Sequence, residues 1–190
     1  MADQKIRSFL AIQPDHLAIE EVGDFLTKIQ PQHPQFKFIP PKNWHLTLHF
    51  LGSISSQQVD TLKSILPECV SKIKPFSILF KGLGGFPNEK KSSTLWIGLH
   101  GETDRLMHLE KVLKFALSDL SFSVENRPYH PHITIARSRK PEICHISDAE
   151  KNIKFNWQWQ VQKITLFQSE RSSRAAHYTP LYNFHLASSV

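Results

Sequence analysis

The sequence predicts an α+β protein in which a unit of antiparallel strands and one long helix occurs twice, with the helices on one face of each sheet. Three observations lead there. Strand-period and helix-period segments follow in the order strand, helix, strand, strand, helix, strand, nearly twice over. A single offset of 87 aligns Phe9 with Trp96, Pro41 with Pro128, His45 with His132, and Leu79-Phe80 with Leu166-Phe167. A doubly wound parallel sheet would alternate strand and helix more strictly, and no G-x-G-x-x-G phosphate loop is present. The chain thus reads as one domain over 1–190, with approximate repeat halves 1–87 and 88–190.

The alternation over 6–12 predicts the first strand. Asp15 then stands where a helix N-cap belongs, before an amphipathic segment over 16–29. Short apolar runs at 36–39 and 44–51 flank the Pro40-Pro41 turn signal, and Ser55 or Ser56 can cap a second helix to about residue 69. Residues 76–81 read as a strand closed by the glycines of 82–85, and 88–93 as a polar loop. A strand over 94–99 leads into a helix over 104–120, where Leu106, Leu109, Leu113, Leu117 and Leu120 recur at helical spacing. Strands follow at 133–136, 160–168 and near 182–186, with a poorly periodic stretch to 152.

Composition excludes several classes. With 40% hydrophobic and 21% charged residues the chain can fill a core, so global disorder is not expected. The apolar run near the start is four residues long and meets Pro14, and no stretch reaches the roughly 18 residues of a membrane span. Cys69 and Cys144 have no C-x-x-C spacing and make no disulfide framework, which suits a reducing, cytoplasmic setting. The net charge of +6 hints at a polyanionic partner such as RNA, and the 11 histidines supply groups that titrate near neutrality.

Two segments concentrate the chemistry: His45-Leu-Thr47-Leu-His-Phe50 and His132-Ile-Thr134-Ile-Ala-Arg137. In each, strand alternation puts His and Thr on one face and the aliphatic residues on the other. The 11 His and eight Thr predict about 0.5 His-x-Thr by chance, and there are three. The third, His177-Tyr-Thr179, runs into Pro180 and reads as a loop. A single such strand is most simply a half-buried edge; two in register suit the opening of a cyclic phosphodiester. That reaction needs a base for the incoming oxygen and an acid for the leaving one, and imidazole serves as either at neutral pH. Each Thr hydroxyl can donate to a non-bridging phosphate oxygen without a metal.

These paired strands resemble the 2H phosphoesterase superfamily, and within it the RNA 2′,3′-cyclic phosphodiesterases of the 2′-5′ RNA ligase family. The likeness extends to residues 7–12 (RSFLAI), 45–52 (HLTLHFLG), 82–87 (GLGGFP), 95–98 (LWIG) and 127–137 (RPYHPHITIAR). It implies a bilobal, pseudo-twofold fold with the two motif strands flanking a central cleft. It also implies His45 as general acid and His132 as general base, with Thr47 and Thr134 binding phosphate, Arg137 near the phosphate and Phe50 near the base or ribose. Simple alternation turns Phe50 and Arg137 toward the core, so they reach the cleft only where the strands end or bulge. No cofactor and no membrane partner are implied. The expected substrate is RNA with 2′,3′-cyclic phosphate termini, tRNA fragments among them, acted on by a monomer. The alternatives are a non-catalytic RNA-binding module of the same fold and a phosphodiesterase for a small cyclic nucleotide.

The chain departs from the family pattern in two places. Lys37-Phe38 stands where Arg-Trp is common, and Ala175-Ala-His-Tyr178 where Gly-x-x-Tyr is common, which leaves the role of the loop at 171–174 open. His130-Pro-His132 has the spacing of a metal clip but lacks further ligands, so no metal is expected. His49 reads as a solvent-facing strand residue, and Phe155, Trp157 and Trp159 as core rather than a base-stacking platform. Lys81, Lys90, Lys91, Arg137, Arg139, Lys140, Arg171 and Arg174 could supply a phosphate-tracking rim.

Overall fold

Local chemistry starts the helices where the sequence puts them. In the computed structural model, which describes residues 5–171 and 176–188, Asp15 accepts the amide of Ala18 at 2.8 Å and opens α1 (His16–Ile29). Ser55 and Gln58 form a capping box that opens α2 (Ser56–Val70). The third helix, α3 (Thr103–Asp119), buries Leu106, Leu109, Leu113 and Leu117, the predicted stripe. A short α4 (Asp148–Asn152) begins with a second capping box, Ser147 with Glu150, in the stretch that shows no period.

Nine strands are described: β1 (Ile6–Ile12), β2 (Lys37–Phe38), β3 (Leu46–Ile54), β4 (Phe76–Asn88), β5 (Lys91–Gly101), β6 (His132–Ile143), β7 (Trp159–Val161), β8 (Lys163–Arg171) and β9 (Ala176–His185). They pair antiparallel in the order β7-β4-β5-β6-β3-β1-β8-β9, with β2 added beside β6. The two expected antiparallel sheets are the two halves of this array. They meet at a single register pair, Leu46 with Ile133, where β3 and β6 touch. One lobe holds β3, β1, β8 and β9, the other β6, β5, β4 and β7. The offset of 87 is visible in space, since β1 lies beside β3 as β5 lies beside β6, and β8 beside β1 as β4 beside β5. The lobes therefore exchange strands: β4 comes from the first half of the chain and β8 from the second.

The helices cover one face of the sheet, and their buried stripes join the strands' aliphatic residues in one core that includes Leu46, Leu48, Ile133 and Ile135. The opposite face carries a small separate cluster, Phe9, Ala11 and Phe167 with Tyr178 against it. That second face is where the cleft opens.

Three expectations about strands are corrected. The glycines at 82–85 do not close a strand, because β4 runs through them to Asn88. Gly82 adopts φ +66° at a bulge between Lys81 and Leu83, and a Cβ there would meet the Lys151 carbonyl oxygen at 2.3 Å. His177-Tyr-Thr179 is not in a loop but on β9; Pro180 is tolerated because β9 is the edge strand. The predicted strand over 160–168 is two strands in different lobes, β7 at one edge of the sheet and β8 between β1 and β9.

Candidate active site

The backbone of the two motif strands is irregular at the same place. Along β1 and β3, Leu10 pairs with His49 and Ala11 with Thr47, leaving Leu48 extra. Along β5 and β6, Leu95 pairs with Ala136 and Trp96 with Thr134, leaving Ile135 extra. Residues 48 and 135 differ by the repeat offset. Each bulge shifts the alternation by one residue, so Thr47 and Phe50 share an outward face, as do Thr134 and Arg137. Phe50 is accordingly 62% exposed, and the condition for bringing it and Arg137 out of the core is met. The same shift corrects His49. It is 6% exposed on the helix side, with Nε2 3.1 Å from the Glu110 carbonyl oxygen and 3.6 Å from a Glu110 carboxylate oxygen.

His45 immediately precedes β3 and His132 opens β6; both are half-buried. Each imidazole is held by the backbone two residues before it. His45 Nδ1 lies 2.7 Å from the Asn43 carbonyl oxygen, and His132 Nδ1 2.7 Å from that of His130. A carbonyl only accepts, so Nδ1 carries the proton and Nε2 is left to exchange protons with a ligand. Aromatic rings fix the remaining freedom. Phe9 packs at 4.9 Å from His45 and Tyr178 stands edge-on to it at 4.9 Å. Phe86 stands edge-on to His132 at 5.0 Å and Trp96 lies at 6.1 Å. Phe9 and Trp96, again 87 apart, thus wall the two histidines.

Burial pushes the pKa of both histidines down from the usual value, against the carbonyl bonds, which raise it. The charge of Arg137 lowers both, and His132 lowers His45 further. Two imidazoles and a guanidinium therefore share one electrostatic environment that is short of negative charge, which an anionic phosphate would supply. Arg137 also donates to the Thr94 hydroxyl at 3.2 Å.

Two cavities adjoin the pair. One, of about 620 Å³, runs from His132 and His130 past Thr47 and Phe50 to Glu110, Glu125 and Arg127. The other, of about 450 Å³, lies beside His45 and is lined by Asn43, Tyr178, Phe38, Lys37, Arg137 and Arg139. Thr134 is half-buried opposite Trp96, two residues along the strand from His132. Thr47, Phe50 and His132 thus line the first cavity and Arg137 the second, and the charges of His132 and Arg137 both reach His45, while Thr134 shares β6 with His132 and Arg137. Of the basic residues considered for a rim, Arg137 and Arg139 line the second cavity, while Arg174 lies outside the described residues. Phe155 and Trp159 are core; Trp157 is exposed, its indole donating to Asp15 at 2.9 Å. Among the described residues, no group of three His, Cys, Asp or Glu side chains is placed to hold a metal ion.

Sequence reasoning missed Asn43, Tyr129 and Tyr178. Asn43 acts through its carbonyl, which no residue type reveals. Tyr129, which donates to the Thr47 carbonyl at 3.0 Å and so ties the second lobe to the first motif strand, stood in the RPYHPH run. Tyr178 is visible in the sequence only as the Tyr of the Gly-x-x-Tyr pattern, with nothing local to place it against His45.

Comparisons with known proteins agree with this fold. The family model of the 2′-5′ RNA ligase superfamily matches residues 14–173. The chain is 25% identical over 186 residues to an RNA 2′,3′-cyclic phosphodiesterase of Methanothermobacter thermautotrophicus, covering 96% of this chain and 100% of that one. It is 30% identical over 173 residues to one of Aquifex aeolicus, covering 89% and 92%. Among solved structures, Escherichia coli LigT complexed with 3′-AMP superposes with a TM-score of 0.80 at 25% identity, over 97% of this chain and 100% of that one. TT0787 of Thermus thermophilus gives 0.80 at 25% identity, over 95% and 97%. The extent of the family match, together with the two His-x-Thr strands at its centre, makes this chain a member of the 2′-5′ RNA ligase superfamily.

Proposed function

We propose that this protein hydrolyses 2′,3′-cyclic phosphate ends of RNA to 2′-phosphates by acid–base catalysis between His45 and His132, without a metal. The observation that carries the reading is the matched pair of imidazoles, each pinned through Nδ1 to a carbonyl at 2.7 Å. A binding module has no need of two oriented proton-transfer groups. The names of the relatives, RNA 2′,3′-cyclic phosphodiesterases, support the substrate class.

In the proposed step His132 Nε2 takes a proton from water as its oxygen bonds to phosphorus. The bond to the ribose 3′ oxygen breaks, and protonated His45 gives that oxygen a proton. A 2′-phosphomonoester and a 3′ hydroxyl result. Thr47 and Thr134 donate to the non-bridging oxygens, Arg137 offsets their charge, and Phe50 lies against the base or ribose. With a 5′ hydroxyl in place of water the same site would form a 2′-5′ linkage. The matched bulges and carbonyl contacts, 87 residues apart, support descent from a duplicated unit. The two free cysteines fit a reducing, cytoplasmic setting.

The test is an oligoribonucleotide ending in a 2′,3′-cyclic phosphate, incubated with the protein in EDTA and followed by phosphorus NMR. A 2′-phosphomonoester is expected. A 3′-phosphate product would contradict the proposed direction of cleavage, and loss of turnover in EDTA would contradict metal independence.

A further inference from the structure

The cavity beside His45 differs chemically from the one beside His132. Its walls come from β2, the turn before β3, β6 and the start of β9. Lys37 and Arg137 are register partners across β2 and β6, and Arg139 follows Arg137 on the same face of β6. No Asp or Glu is among its lining residues, whereas Glu110 and Glu125 line the other cavity. Arg139 makes no hydrogen bond or ion pair with any described residue. The remaining surface is mostly apolar, with Phe38, Pro40 and Tyr178 presenting rings beside the uncharged Gln35, Asn43 and Ser138. Cations along one wall and rings along another are what a single-stranded nucleic acid uses, phosphate on the first and base on the second.

The cavity is also joined to the catalytic histidine. The Asn43 carboxamide donates to the Ala176 carbonyl at 3.1 Å, while the carbonyl of Asn43 receives His45 Nδ1–H. Two residues on from Ala176, Tyr178 stands against the His45 ring. A ligand here would touch Asn43 and Tyr178, the residues that orient His45.

We infer that this cavity is the subsite for the nucleotide preceding the cyclic end, its phosphodiester against Arg139 and the Lys37–Arg137 pair and its base over Phe38 and Tyr178. The inference rests on the cyclic phosphodiesterase reading and makes the chain an oligonucleotide enzyme rather than one for small cyclic nucleotides. A volume of about 450 Å³ accommodates one nucleotide, within the usual range for ligand sites.

The test compares kcat/KM for a nucleoside 2′,3′-cyclic phosphate with that for a dinucleotide ending in the same group. Wild type, Arg139→Ala and Phe38→Ala are used, with circular dichroism to check folding. The wild type should prefer the dinucleotide by about tenfold or more, as expected for one bond to a charged group. Arg139→Ala should reduce that ratio by about the same factor and lower the salt slope for the dinucleotide by about 0.7. Phe38→Ala should reduce the ratio without changing the slope. Equal use of the two substrates by the wild type, or an unchanged ratio in Arg139→Ala, would overturn the inference while leaving hydrolysis intact. Failure to turn over either substrate would instead refute the hydrolytic reading, and this inference with it.

Discussion

Gly84→Ala tests how closely the wall behind His132 must fit. Gly84 is the register partner of Trp96, and a Cβ at this position would lie 2.2 Å from Trp96 Cζ2 and 2.3 Å from Cη2. Carbon atoms normally approach no closer than about 3.5 Å, so the indole must retreat by more than about 1 Å. It cannot do so freely, because Phe86 lies at 5.3 Å and His130 at 5.1 Å from its centroid, and both rings also flank His132. Overpacking of this kind costs about 1–3 kcal/mol, a fall in Tm of a few degrees. A misplacement of about 1 Å at a catalytic group costs about 100-fold in rate. The assay is kcat/KM on a cyclic phosphate end beside a thermal melt. Activity should fall far more than the folded fraction explains, and Trp96→Phe added to Gly84→Ala should restore most of it. Among the described residues the indole nitrogen has no hydrogen-bond partner, so Phe forfeits none there, and Phe9 already fills the equivalent place in the other lobe. Gly23→Ala is the control, since a Cβ there meets nothing within 4 Å; it should gain up to about 1 kcal/mol and leave activity alone. Wild-type activity in Gly84→Ala would refute the claim that Trp96 positions His132.

Burial holds both histidines below their usual 6.5 in the free protein, and the proposed reaction needs one neutral and one charged. The kcat/KM profile should therefore be bell-shaped with its alkaline limb below pH 6.5, while bound phosphate moves the limb of kcat upward; an alkaline limb of kcat/KM above 6.5 would contradict this. The same shift bears on stability. The unfolded chain takes up protons on these residues near 6.5 and the folded chain only at lower pH, so stability declines as pH falls through that interval. His132→Asn should melt with a smaller loss of Tm between pH 7 and pH 5 than wild type, and an equal loss would contradict it. Away from the cleft, Glu150→Ala leaves buried His33 without the carboxylate now 3.1 Å away and removes the Ser147 bonds at 2.7 Å. Urea unfolding should show a loss of about 3 kcal/mol with kcat unchanged, and a loss under about 1 kcal/mol would show the pair to be dispensable.

The parts legible in the sequence were those set by local chemistry. Asp15 and Ser55 begin α1 and α2 because their side chains accept nearby amides. His45, Thr47, His132 and Thr134 stand out as candidates because strand period and repeat offset coincide. What escaped depended on backbone geometry or on distant segments. Alternation alone put His49 beside His45, and only the bulge at Leu48 sends it under α3 while bringing Phe50 outward. The glycines of β4 read as a terminus because their use is spatial: Gly82 takes a left-handed turn in a bulge, and Gly84 lets an indole lie on the backbone. The exchange of β4 and β8 between lobes follows from pairings far apart in the chain, which local pattern does not encode.

The central claim is that two histidines divide the proton transfers. It is tested most directly by kcat/KM against pH for His45→Ala and His132→Ala on an RNA 2′,3′-cyclic phosphate end. Each variant should lose about 100-fold to 10,000-fold, and His45→Ala should lose the alkaline limb and His132→Ala the acid one. A variant that keeps the full rate, or the wild-type bell, would contradict the account.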